Sequence, residues 1–341
     1  MNLANQPRVR LSSWPTPLEE CPRLSAALGG PHIWVKRDDL TDLGLGGNKV
    51  RKLEYLLGAA LKEGADTVVT TGGLQSNHAR LTAAACRRLG LGVVLVLAGV
   101  PGRPAALTGN LLLDYLYGAE VVFTSENSDE AVAKTMADVA TGLRDRGRRP
   151  YVVPLGGSSA VGTLGYVSAA LEVAAQAAEE GVAFDDVFVT TGSGGTHAGL
   201  LVGLARFMPG ARLHGITVSR EPSVAAARVE AIAAETAGFL GLDPGGLPRA
   251  VVHGGYVGQG YAIPTRAGWE AIVLAARTES LVLDPVYTGK ALSGLIGLIR
   301  QGRLSPASNV LFVHTGGWPG LMAEAAALED HLGREEGSAI P

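Results

Sequence analysis

Segments that favour a β-strand alternate with segments that favour a helix along most of this chain, and this order constrains its fold more than any other feature. A strand-like run at residues 67–71 precedes a helix-like run at 76–89, and another at 187–191 precedes a helix-like run at 197–207. Such alternation predicts an α/β fold with a mostly parallel sheet and helices on both faces. Because 341 residues are many for a single core, we expect two domains.

Glycine-rich polar loops follow several of the strand-like runs, and glycine makes up 47 of the 341 residues. The stretch TTGGLQSNHA at residues 70–79 resembles TTGSGGTHAG at 190–199, since both pass from a strand through glycine and polar residues into a helix. Two further loops, at 156–159 and 314–317, have the same character. Because the carboxyl ends of parallel strands meet at one edge of a sheet, we expect the four loops to converge on one cleft.

The segment GGNKVRKLE at residues 46–54 places Lys49 where a helix is expected to begin. Two glycines precede it, Asn48 is in position to cap the helix, and an apolar periodic run follows. The positive end of a helix disfavours an ammonium group, and Arg51 and Lys52 add positive charge. Both effects predict a lowered pKa for Lys49, as a nucleophilic lysine requires. A lysine after two glycines is more often an ordinary surface residue. The chemistry of the other loops must therefore show whether Lys49 is a nucleophile or a surface lysine.

The loop at residues 190–199 has the features of a phosphate-binding site. Backbone N–H groups and two hydroxyls gather there at the start of a helix, where the helix dipole also favours an anion. The residues concerned are Gly192, Ser193, Gly194, Gly195 and Thr196. His197 stands where a dinucleotide-binding fingerprint needs its third glycine, and the chain contains no P-loop spacing. A small cofactor with one phosphate group therefore fits better than a nucleotide.

The loop at residues 70–79 ends in Ser76, Asn77 and His78, which open the next helix. Their N–H groups and side-chain donors are suited to hold a substrate carboxylate. The seven histidines show no metal-binding spacing, so no metal site is predicted, and no G-x-S-x-G motif of a serine hydrolase occurs. A reactive lysine, a phosphate-binding loop and a carboxylate-binding loop together indicate a pyridoxal-phosphate enzyme that acts on a small amino acid.

Composition and charge exclude several other classes of protein. With 47% hydrophobic and 18% charged residues, the chain is typical of a well-packed globular protein. Its net charge of −3, without a basic stripe, argues against binding to nucleic acid or to an anionic membrane. No apolar run is long enough to span a bilayer and the N-terminal residues lack the apolar core of a signal peptide, so a cytoplasmic protein is expected. Cys21 and Cys86 lack CxxC spacing and are predicted to be buried thiols.

On these motifs the chain resembles the family of 1-aminocyclopropane-1-carboxylate deaminases and D-cysteine desulfhydrases, which are pyridoxal-phosphate enzymes of the tryptophan-synthase-β-like fold, or fold type II. The similarity runs from TPL at residues 16–18 to HTGG at 314–317, and its most specific stretches lie at 36–39, 46–54, 75–80, 156–166, 196–199 and 283–290. The resemblance implies two open, mostly parallel sheets with helices on both faces, and a homodimer. It also implies a small α/β domain, residues 53–162, inserted into a large pyridoxal-phosphate-binding domain of residues 1–52 and 163–341.

The resemblance also implies roles for individual residues. Lys49 would form a Schiff base with the cofactor, whereas Lys52 is expected to face an acidic group or solvent. The implied catalytic residues are Lys49, Ser76, Tyr261 and Tyr287. The implied cofactor-binding residues are Lys49, Asn77 (at the phenolic oxygen), Gly192, Ser193, Gly194, Gly195, Thr196, Tyr287, Thr288 and Thr315. The implied substrate-binding residues are Ser76, Asn77, His78, Gly157 and Ser158. For either tyrosine the alternative is core packing, and Trp318 is expected either to pack or to shape the pocket.

Two threonines distinguish between reactions within the family. Its deaminases usually carry Glu at the position of Thr288 and Leu at that of Thr315. A carboxylate there would stabilise a protonated pyridine nitrogen, whereas a threonine hydroxyl supplies no charge. A pyridine ring without this protonation is a weaker electron sink. It suffices when a good β leaving group such as a thiol departs quickly. Which of the two threonines meets the nitrogen is left open.

These positions favour β-elimination, and the first interpretation is conversion of D-cysteine to pyruvate, hydrogen sulfide and ammonia. The alternatives within the family are an L-cysteate sulfo-lyase and then a 1-aminocyclopropane-1-carboxylate deaminase. A non-catalytic pyridoxal-phosphate-binding protein is the alternative from a different class. The missing third glycine disfavours a further class, NADP-dependent reduction with Arg220. The sequence leaves open the chirality of the substrate and the residue that accepts its proton.

Overall fold

Ten strands and twelve helices form the described part of the chain, residues 2–338 of a computed structural model. The strands are β1 (Leu18–Glu20), β2 (His32–Arg37), β3 (Thr67–Gly72), β4 (Gly92–Ala98), β5 (Glu120–Thr124), β6 (Pro150–Val152), β7 (Asp186–Thr191), β8 (Arg212–Thr217), β9 (Val251–His253) and β10 (Asn309–His314). The helices are α1 (Pro22–Leu28), α2 (Lys49–Lys62), α3 (Asn77–Arg88), α4 (Gly109–Leu116), α5 (Asp129–Asp145), α6 (Ala160–Glu180), α7 (Gly195–Phe207), α8 (Pro222–Phe239), α9 (Arg266–Glu279), α10 (Thr288–Arg300), α11 (Trp318–Ala323) and α12 (Ala325–Ser338).

The strands are arranged in two sheets. The larger sheet has the order β1-β2-β10-β7-β8-β9, and the smaller has the order β5-β4-β3-β6. Neighbouring strands run parallel, except that β1 runs antiparallel to β2. In the larger sheet Val189 of β7 pairs with Gly215 of β8, and in the smaller sheet Val69 of β3 pairs with Val94 of β4.

Both sheets are covered on two faces, because successive residues of a strand point to opposite sides. Val187 and Val189 of β7 pack with α6, α7 and α8, whereas Phe188 between them packs with α9 and α10. In the smaller sheet Val68 of β3 packs with α2 and α3, and Val69 packs with α5. The predicted fold class, α/β with two open, mostly parallel sheets and helices on both faces, is therefore confirmed.

Short elements at the sheet edges escape prediction from the sequence. β1 and β9 have three residues each, too few to show an alternating pattern. In the smaller sheet β6 ends at Val152, because the chain turns at Leu155–Gly157 into a 3-10 helix in which Gly156 has a φ of 64°. Glycine adopts this left-handed conformation without steric strain, so the turn ends the strand early.

The two cysteines are buried free thiols, as predicted. Burial raises the pKa of both Cys21 and Cys86 to about 12, so neither is a reactive thiolate near neutral pH.

Residues 2–338 contain no cluster of three or more His, Cys, Asp or Glu side chains arranged to hold a metal ion. Over the same residues, no helix has both the length and the apolar character needed to cross a bilayer.

Helices α2 and α6 lie against each other between the two sheets. The predicted domain boundaries, after residues 52 and 162, fall inside α2 and inside α6. Tyr55 of α2 belongs to the core of the larger sheet, although Leu53 and Leu56 of the same helix belong to the core of the smaller sheet. The division into an inserted and a surrounding domain stays a prediction.

Substitution of Gly165 tests how closely α2 and α6 must approach. A Cβ at Gly165 of α6 would lie 2.3 Å from the carbonyl oxygen of Arg51 in α2. We expect Gly165→Ala to force the helices apart and to lower the free energy of unfolding by roughly 1–3 kcal/mol in denaturant titrations. The control is Gly142→Ala in α5, where no described atom lies within 4 Å of the new Cβ. It should raise the free energy of unfolding by about 0.5–1 kcal/mol. Unchanged stability of Gly165→Ala would contradict the close approach.

Asp114 of α4 is a buried carboxyl group whose two oxygens have no hydrogen-bond partner among the described residues. Burial raises its pKa from 3.8 to about 8, although the charge of Arg80 acts in the opposite direction. The folded protein therefore holds this proton to a higher pH than the unfolded chain does. Ionisation of Asp114 consequently lowers the free energy of unfolding as the pH rises between those two values.

Asp114→Asn removes the ionisable group and keeps the shape of the side chain. We expect the difference in free energy of unfolding between this variant and the parent protein to increase, in favour of the variant, by at least about 1 kcal/mol from roughly pH 5 to pH 8. Chemical denaturation at both pH values measures this change. Asp145→Asn at the exposed end of α5 is the matched control and should show no such trend. A gain for Asp114→Asn that does not depend on pH would be the contrary result.

Candidate active site

The glycine-rich loops meet around the start of α2. The backbone N–H of Asn48 donates to the carbonyl oxygen of Thr315 at 3.1 Å, and its side-chain Nδ2 donates to Thr196 Oγ1 at 3.0 Å. Ser158 Oγ donates to Ser193 Oγ at 2.8 Å. These bonds join three of the four predicted loops. Asn48 makes no side-chain capping bond to α2, so the expected cap is wrong, because this amide bonds to Thr196 in the first turn of α7.

The loop before α7 forms a narrow cup. Gly194 has a φ of 90°, and the backbone N–H of Gly195 donates to Ser158 Oγ at 3.2 Å. A Cβ at Gly195 would lie 2.6 Å from Ser158 Oγ and 2.5 Å from Lys52 Nζ, so any side chain there would fill the cup. A helix start, hydroxyl groups and an ammonium group surround this space, and they match the charge and the acceptors of a phosphate. These residues therefore fit the phosphate group of pyridoxal phosphate.

Lys49 is the first residue of α2, and within residues 2–338 its ammonium group has no hydrogen-bond or ion-pair partner. Burial lowers its pKa to about 8, which agrees with the predicted direction. The cause differs from the predicted one in part, since Arg51 donates to Asp38 and Glu172 and its charge is thereby balanced. Lys49 thus offers an amine that loses its proton close to neutral pH.

Lys52 lies one helical turn after Lys49, on the same face of α2, and is completely buried. Its Nζ donates to the carbonyl oxygen of Gly156 at 2.9 Å and to Ser158 Oγ at 3.3 Å. Burial, and then the positive charge of Lys49, lower its pKa well below the ordinary value. Lys52 was expected to face an acidic group or solvent, but it faces neither solvent nor a carboxylate among the described residues, because this face of α2 points into the phosphate-fitting cup. The spacing of three residues between Lys49 and Lys52 places both on one face of a helix, and this spacing was the sequence signal that could have predicted the position of Lys52.

The start of α3 presents three of the five residues predicted to meet the substrate, namely Ser76, Asn77 and His78. Ser76 caps the helix, with Oγ accepting from the N–H of Ala79 at 3.2 Å. The Oδ1 of Asn77 accepts from Asn110 Nδ2 at 2.9 Å, so the amide nitrogen of Asn77 remains available as a donor. Ser76 and Asn77 are largely buried at the carboxyl end of β3.

His78 brings the fourth loop to the site, since its Cε1 lies 3.3 Å from the position of a Cβ at Gly157. Thr70 donates its hydroxyl hydrogen to the carbonyl oxygen of Val153, so His78 Nε2 must donate to Thr70 Oγ1 at 2.9 Å. The Nδ1 atom is then an acceptor, and it has no partner among the described residues. Burial, and then the charges of Lys49 and Lys52, keep the pKa of His78 well below its ordinary value, so the ring is neutral.

Tyr261 and Tyr287 form a pair between two of the loops. Their hydroxyl groups hydrogen-bond to each other. The Tyr287 ring lies 3.6 Å from the position of a Cβ at Gly192, and the Tyr261 ring lies 3.7 Å from one at Gly73. The side chain of Tyr261 is 44% exposed, which argues against the alternative of core packing. The pair therefore stands between the phosphate-fitting cup and the loop that leads to Ser76.

The two discriminating threonines have different surroundings. Thr288 Oγ1 donates to Asp284 Oδ1 at 2.7 Å and accepts from the N–H of Asp284 at 2.8 Å, so its hydroxyl is occupied. Thr315 makes no side-chain hydrogen bond within residues 2–338. Its loop is held by His314, whose Nδ1 accepts from the N–H of Gly316 at 3.2 Å. Only the Thr315 hydroxyl, of the two, is thus available to a ligand.

A buried polar network behind the site, which sequence reasoning missed, fixes α2 to the larger sheet. Asp38 accepts from Arg51 at 2.7 and 2.8 Å and from Thr16 Oγ1 at 2.9 Å. Its partners lie 13 and 22 residues away, so no local pattern shows the pairing. Trp318 donates from Nε1 to the carbonyl oxygen of Leu45 at 3.1 Å, and thereby ties α11 to the loop that precedes Lys49.

Comparison with known proteins identifies the class. Residues 9–316 match the family described as pyridoxal-phosphate dependent enzyme, and the chain belongs to that family. It is similar to the D-cysteine desulfhydrase of Klebsiella pneumoniae, with 46% identity over 325 residues, 94% of this chain and 97% of that protein. It is also 46% identical over 328 residues to the D-cysteine desulfhydrase of Salmonella newport, with the same coverage.

Solved structures confirm the fold type. A crystal structure described as an ACC deaminase homologue superposes with a TM-score of 0.89 at 41% identity, covering 96% of this chain and 97% of that one. A threonine deaminase from T.th. superposes with a TM-score of 0.64 at 21% identity, covering 89% of this chain and 92% of that one. This second likeness shows the shared fold alone. The protein has the predicted tryptophan-synthase-β-like fold of type II pyridoxal-phosphate enzymes.

Neutralising Lys52 tests its place in the phosphate-fitting cup. A hydrogen bond to a charged group contributes about 1.5–3 kcal/mol, so Lys52→Met should weaken pyridoxal-phosphate binding by about tenfold or more. Equilibrium titration of the protein with the cofactor, followed by quenching of intrinsic fluorescence, measures the Kd. Lys62→Met at the exposed end of α2 is the control and should bind as the parent protein does. Equal affinities of the Lys52→Met variant and the parent protein would rule out this role.

Proposed function

We propose that this protein is a pyridoxal-phosphate-dependent lyase that converts D-cysteine to pyruvate, hydrogen sulfide and ammonia. The observation that carries the proposal is the amine of Lys49, which has no hydrogen-bond or ion-pair partner within residues 2–338 and lies at the junction of the phosphate-fitting cup and the other glycine-rich loops. D-cysteine as the substrate is supported by the two desulfhydrases, each 46% identical over 94% of this chain.

The residues of the chain divide the work between binding and proton transfer. When bound, pyridoxal phosphate supplies an electron sink for the electron pair left at the α-carbon after proton removal. Lys52 and the start of α7 hold the phosphate group, and Ser76 with the N–H groups at the start of α3 holds the substrate carboxylate. Lys49 takes the α-proton, because a pKa of about 8 leaves much of this amine neutral in mildly alkaline solution.

Tyr261 and Tyr287 are the proton donors for the leaving sulfur in this proposal. Burial, followed by the influence of Tyr261, raises the pKa of Tyr287 well above its ordinary value, so its hydroxyl stays protonated. Its bond with Tyr261 gives the hydrogen a continuous path along the pair. Cleavage of the C–S bond then releases aminoacrylate, which water hydrolyses to pyruvate and ammonia.

The threonines support elimination over opening of a cyclopropane ring. The Thr288 hydroxyl is occupied by Asp284, which supports Thr315 as the neighbour of the pyridine nitrogen. The Asp284 carboxylate itself accepts from the backbone N–H groups of Val286, Tyr287 and Thr288, so it is not free to pair with the nitrogen. Beside an uncharged hydroxyl the pyridine ring of the cofactor would be a weaker electron sink than beside a carboxylate. A weaker sink suits a substrate with a good leaving group.

Three further expectations from the sequence are also proposed. The protein acts in the cytoplasm, and the family resemblance supports a homodimer and a division into two domains. A small domain of residues 53–162 is inserted into a large pyridoxal-phosphate-binding domain of residues 1–52 and 163–341. The four strands β3 to β6 all lie between residues 67 and 152, which supports this division.

A substrate panel tests the proposed reaction. The purified protein, loaded with pyridoxal phosphate, is incubated separately with D-cysteine, L-cysteine, L-cysteate and 1-aminocyclopropane-1-carboxylate, while pyruvate, 2-oxobutyrate and sulfide are measured. We expect pyruvate and sulfide in equal amounts from D-cysteine at the highest rate. Lys49→Ala should lower that rate by at least about a hundredfold, and borohydride should no longer trap the cofactor on the chain.

Each contrary result identifies an alternative. A higher rate with L-cysteate would favour the sulfo-lyase, and formation of 2-oxobutyrate would favour the deaminase. Borohydride trapping at Lys49 without any product would indicate a protein that binds the cofactor but does not turn over these substrates.

A further inference from the structure

Asn110 of α4 is completely buried, and its side-chain amide and backbone N–H bond to residues next to the site. Its Nδ2 donates to Asn77 Oδ1 at 2.9 Å and to the carbonyl oxygen of Gln75 at 3.0 Å. Its Oδ1 accepts from Arg80 Nε at 2.6 Å. Its backbone N–H donates to Gln75 Oε1 at 2.8 Å. Asn110 therefore contacts both the loop at residues 70–79, through Gln75, and the first turn of α3.

These partners fix the direction of two amide groups. A guanidinium nitrogen only donates, so the oxygen of Asn110, and not its nitrogen, must face Arg80. The nitrogen of Asn110 then faces Asn77, which must present Oδ1 to it. The Nδ2 of Asn77 is left as the donor on the opposite side, and it makes no hydrogen bond within residues 2–338. An isolated asparagine could present either its oxygen or its nitrogen, but Asn77 cannot.

Arg80 is the source of this fixed polarity. Its side chain is buried, it also donates to the carbonyl oxygens of Gly44 and Gly46, and no carboxylate among the described residues hydrogen-bonds to it. Burial lowers its pKa to about 10, so it remains charged at neutral pH. In a buried chain of hydrogen bonds each dipole polarises the next. The charge of Arg80 therefore strengthens the donor that Asn77 presents.

We propose that Asn110 is a positioning residue, which acts through Asn77 to present a hydrogen-bond donor to the anionic phenolic oxygen of pyridoxal phosphate. The inference rests on the proposed function, specifically on the contact between Asn77 and that oxygen. Arg80, Asn110 and Asn77 form one line of hydrogen bonds that starts at a buried charge and ends at Asn77, whose Nδ2 is the donor that would face the cofactor. A purely structural clamp of α4 on α3 would need the same contacts but not this polarity.

Asn110→Asp separates the two roles, because it keeps the size of the side chain and reverses its polarity toward Asn77. The carboxylate still accepts from Arg80, but it forces Asn77 to turn its nitrogen inward and its oxygen toward the cofactor. We expect the Kd for pyridoxal phosphate to rise about tenfold or more and the visible absorption spectrum of the bound cofactor to change. Asn127→Asp, at an exposed position, adds the same charge and should leave both unchanged.

A double-mutant cycle tests whether Asn110 acts through Asn77. In an Asn77→Ala background, Asn110→Asp should change the Kd by less than about twofold, since the group it acts through is gone. An equal loss of affinity in both backgrounds would overturn the proposal in favour of a structural clamp, and so would an unchanged Kd in the Asn110→Asp single variant. If Asn110→Asp does not fold, as judged by thermal unfolding without cofactor, the same cycle is run with Asn110→Ala and the same outcomes decide.

The binding measurement keeps this inference separate from the proposed reaction. A parent protein that binds pyridoxal phosphate but releases no pyruvate would contradict the proposed function, while the cycle would still report on Asn110. Conversely, full activity on D-cysteine together with an additive cycle would leave the proposed function standing and overturn the positioning role.

Discussion

Two lysine side chains lie on the same face of α2, and the burial of their charges constrains the rest of the site. Lys52 is completely enclosed, and Lys49 is desolvated enough for its pKa to fall to about 8. Burying an ammonium group without a carboxylate is costly, and no described carboxylate bonds to either lysine. The oxygens of Gly156 and Ser158 compensate Lys52 only in part. In the proposed site, a phosphate dianion beside Gly195 would supply the missing negative charge, and cofactor binding would complete the electrostatics of the folded protein.

The same helix also separates a structural charge from the reactive ones. Arg51 lies between the two lysines in sequence but points to the opposite side, where Asp38 and Glu172 neutralise it. Burial alone would raise the pKa of Asp38, but the charge and hydrogen bonds of Arg51 bring it below its ordinary value. The ion pair therefore holds α2 against the larger sheet without lending charge to the site. This separation leaves burial as the main cause of the lowered pKa of Lys49.

Local patterns in the sequence were sufficient for the fold class, for the glycine-rich loops and for the position of Lys49 at a helix start. Each depends on residues within about ten positions of one another, where periodicity and turn chemistry are readable. The partners of Lys52 and Arg51 were not readable, because Gly156 lies 104 residues from Lys52 and Glu172 lies 121 residues from Arg51. Thr288 and Thr315 were left equivalent for a different reason, since Asp284 lies only four residues from Thr288 but the direction of a hydroxyl group is not readable from a sequence. Only the three-dimensional arrangement shows that Asp284 occupies the hydroxyl of Thr288.

Loops from both sheets determine the position of the reactive amine. Asn48, the residue before Lys49, bonds to the loops that follow β7 and β10 of the larger sheet. The preceding residues Gly44 and Gly46 are held by Arg80 of α3, which follows β3 of the smaller sheet. Because opposite sides of this short segment are bonded to different sheets, a shift of one sheet against the other would move Lys49 relative to the loops that are proposed to bind the phosphate and the substrate carboxylate. The position of Lys49 relative to these loops is therefore fixed where the two sheets meet. Neither sheet alone could fix it.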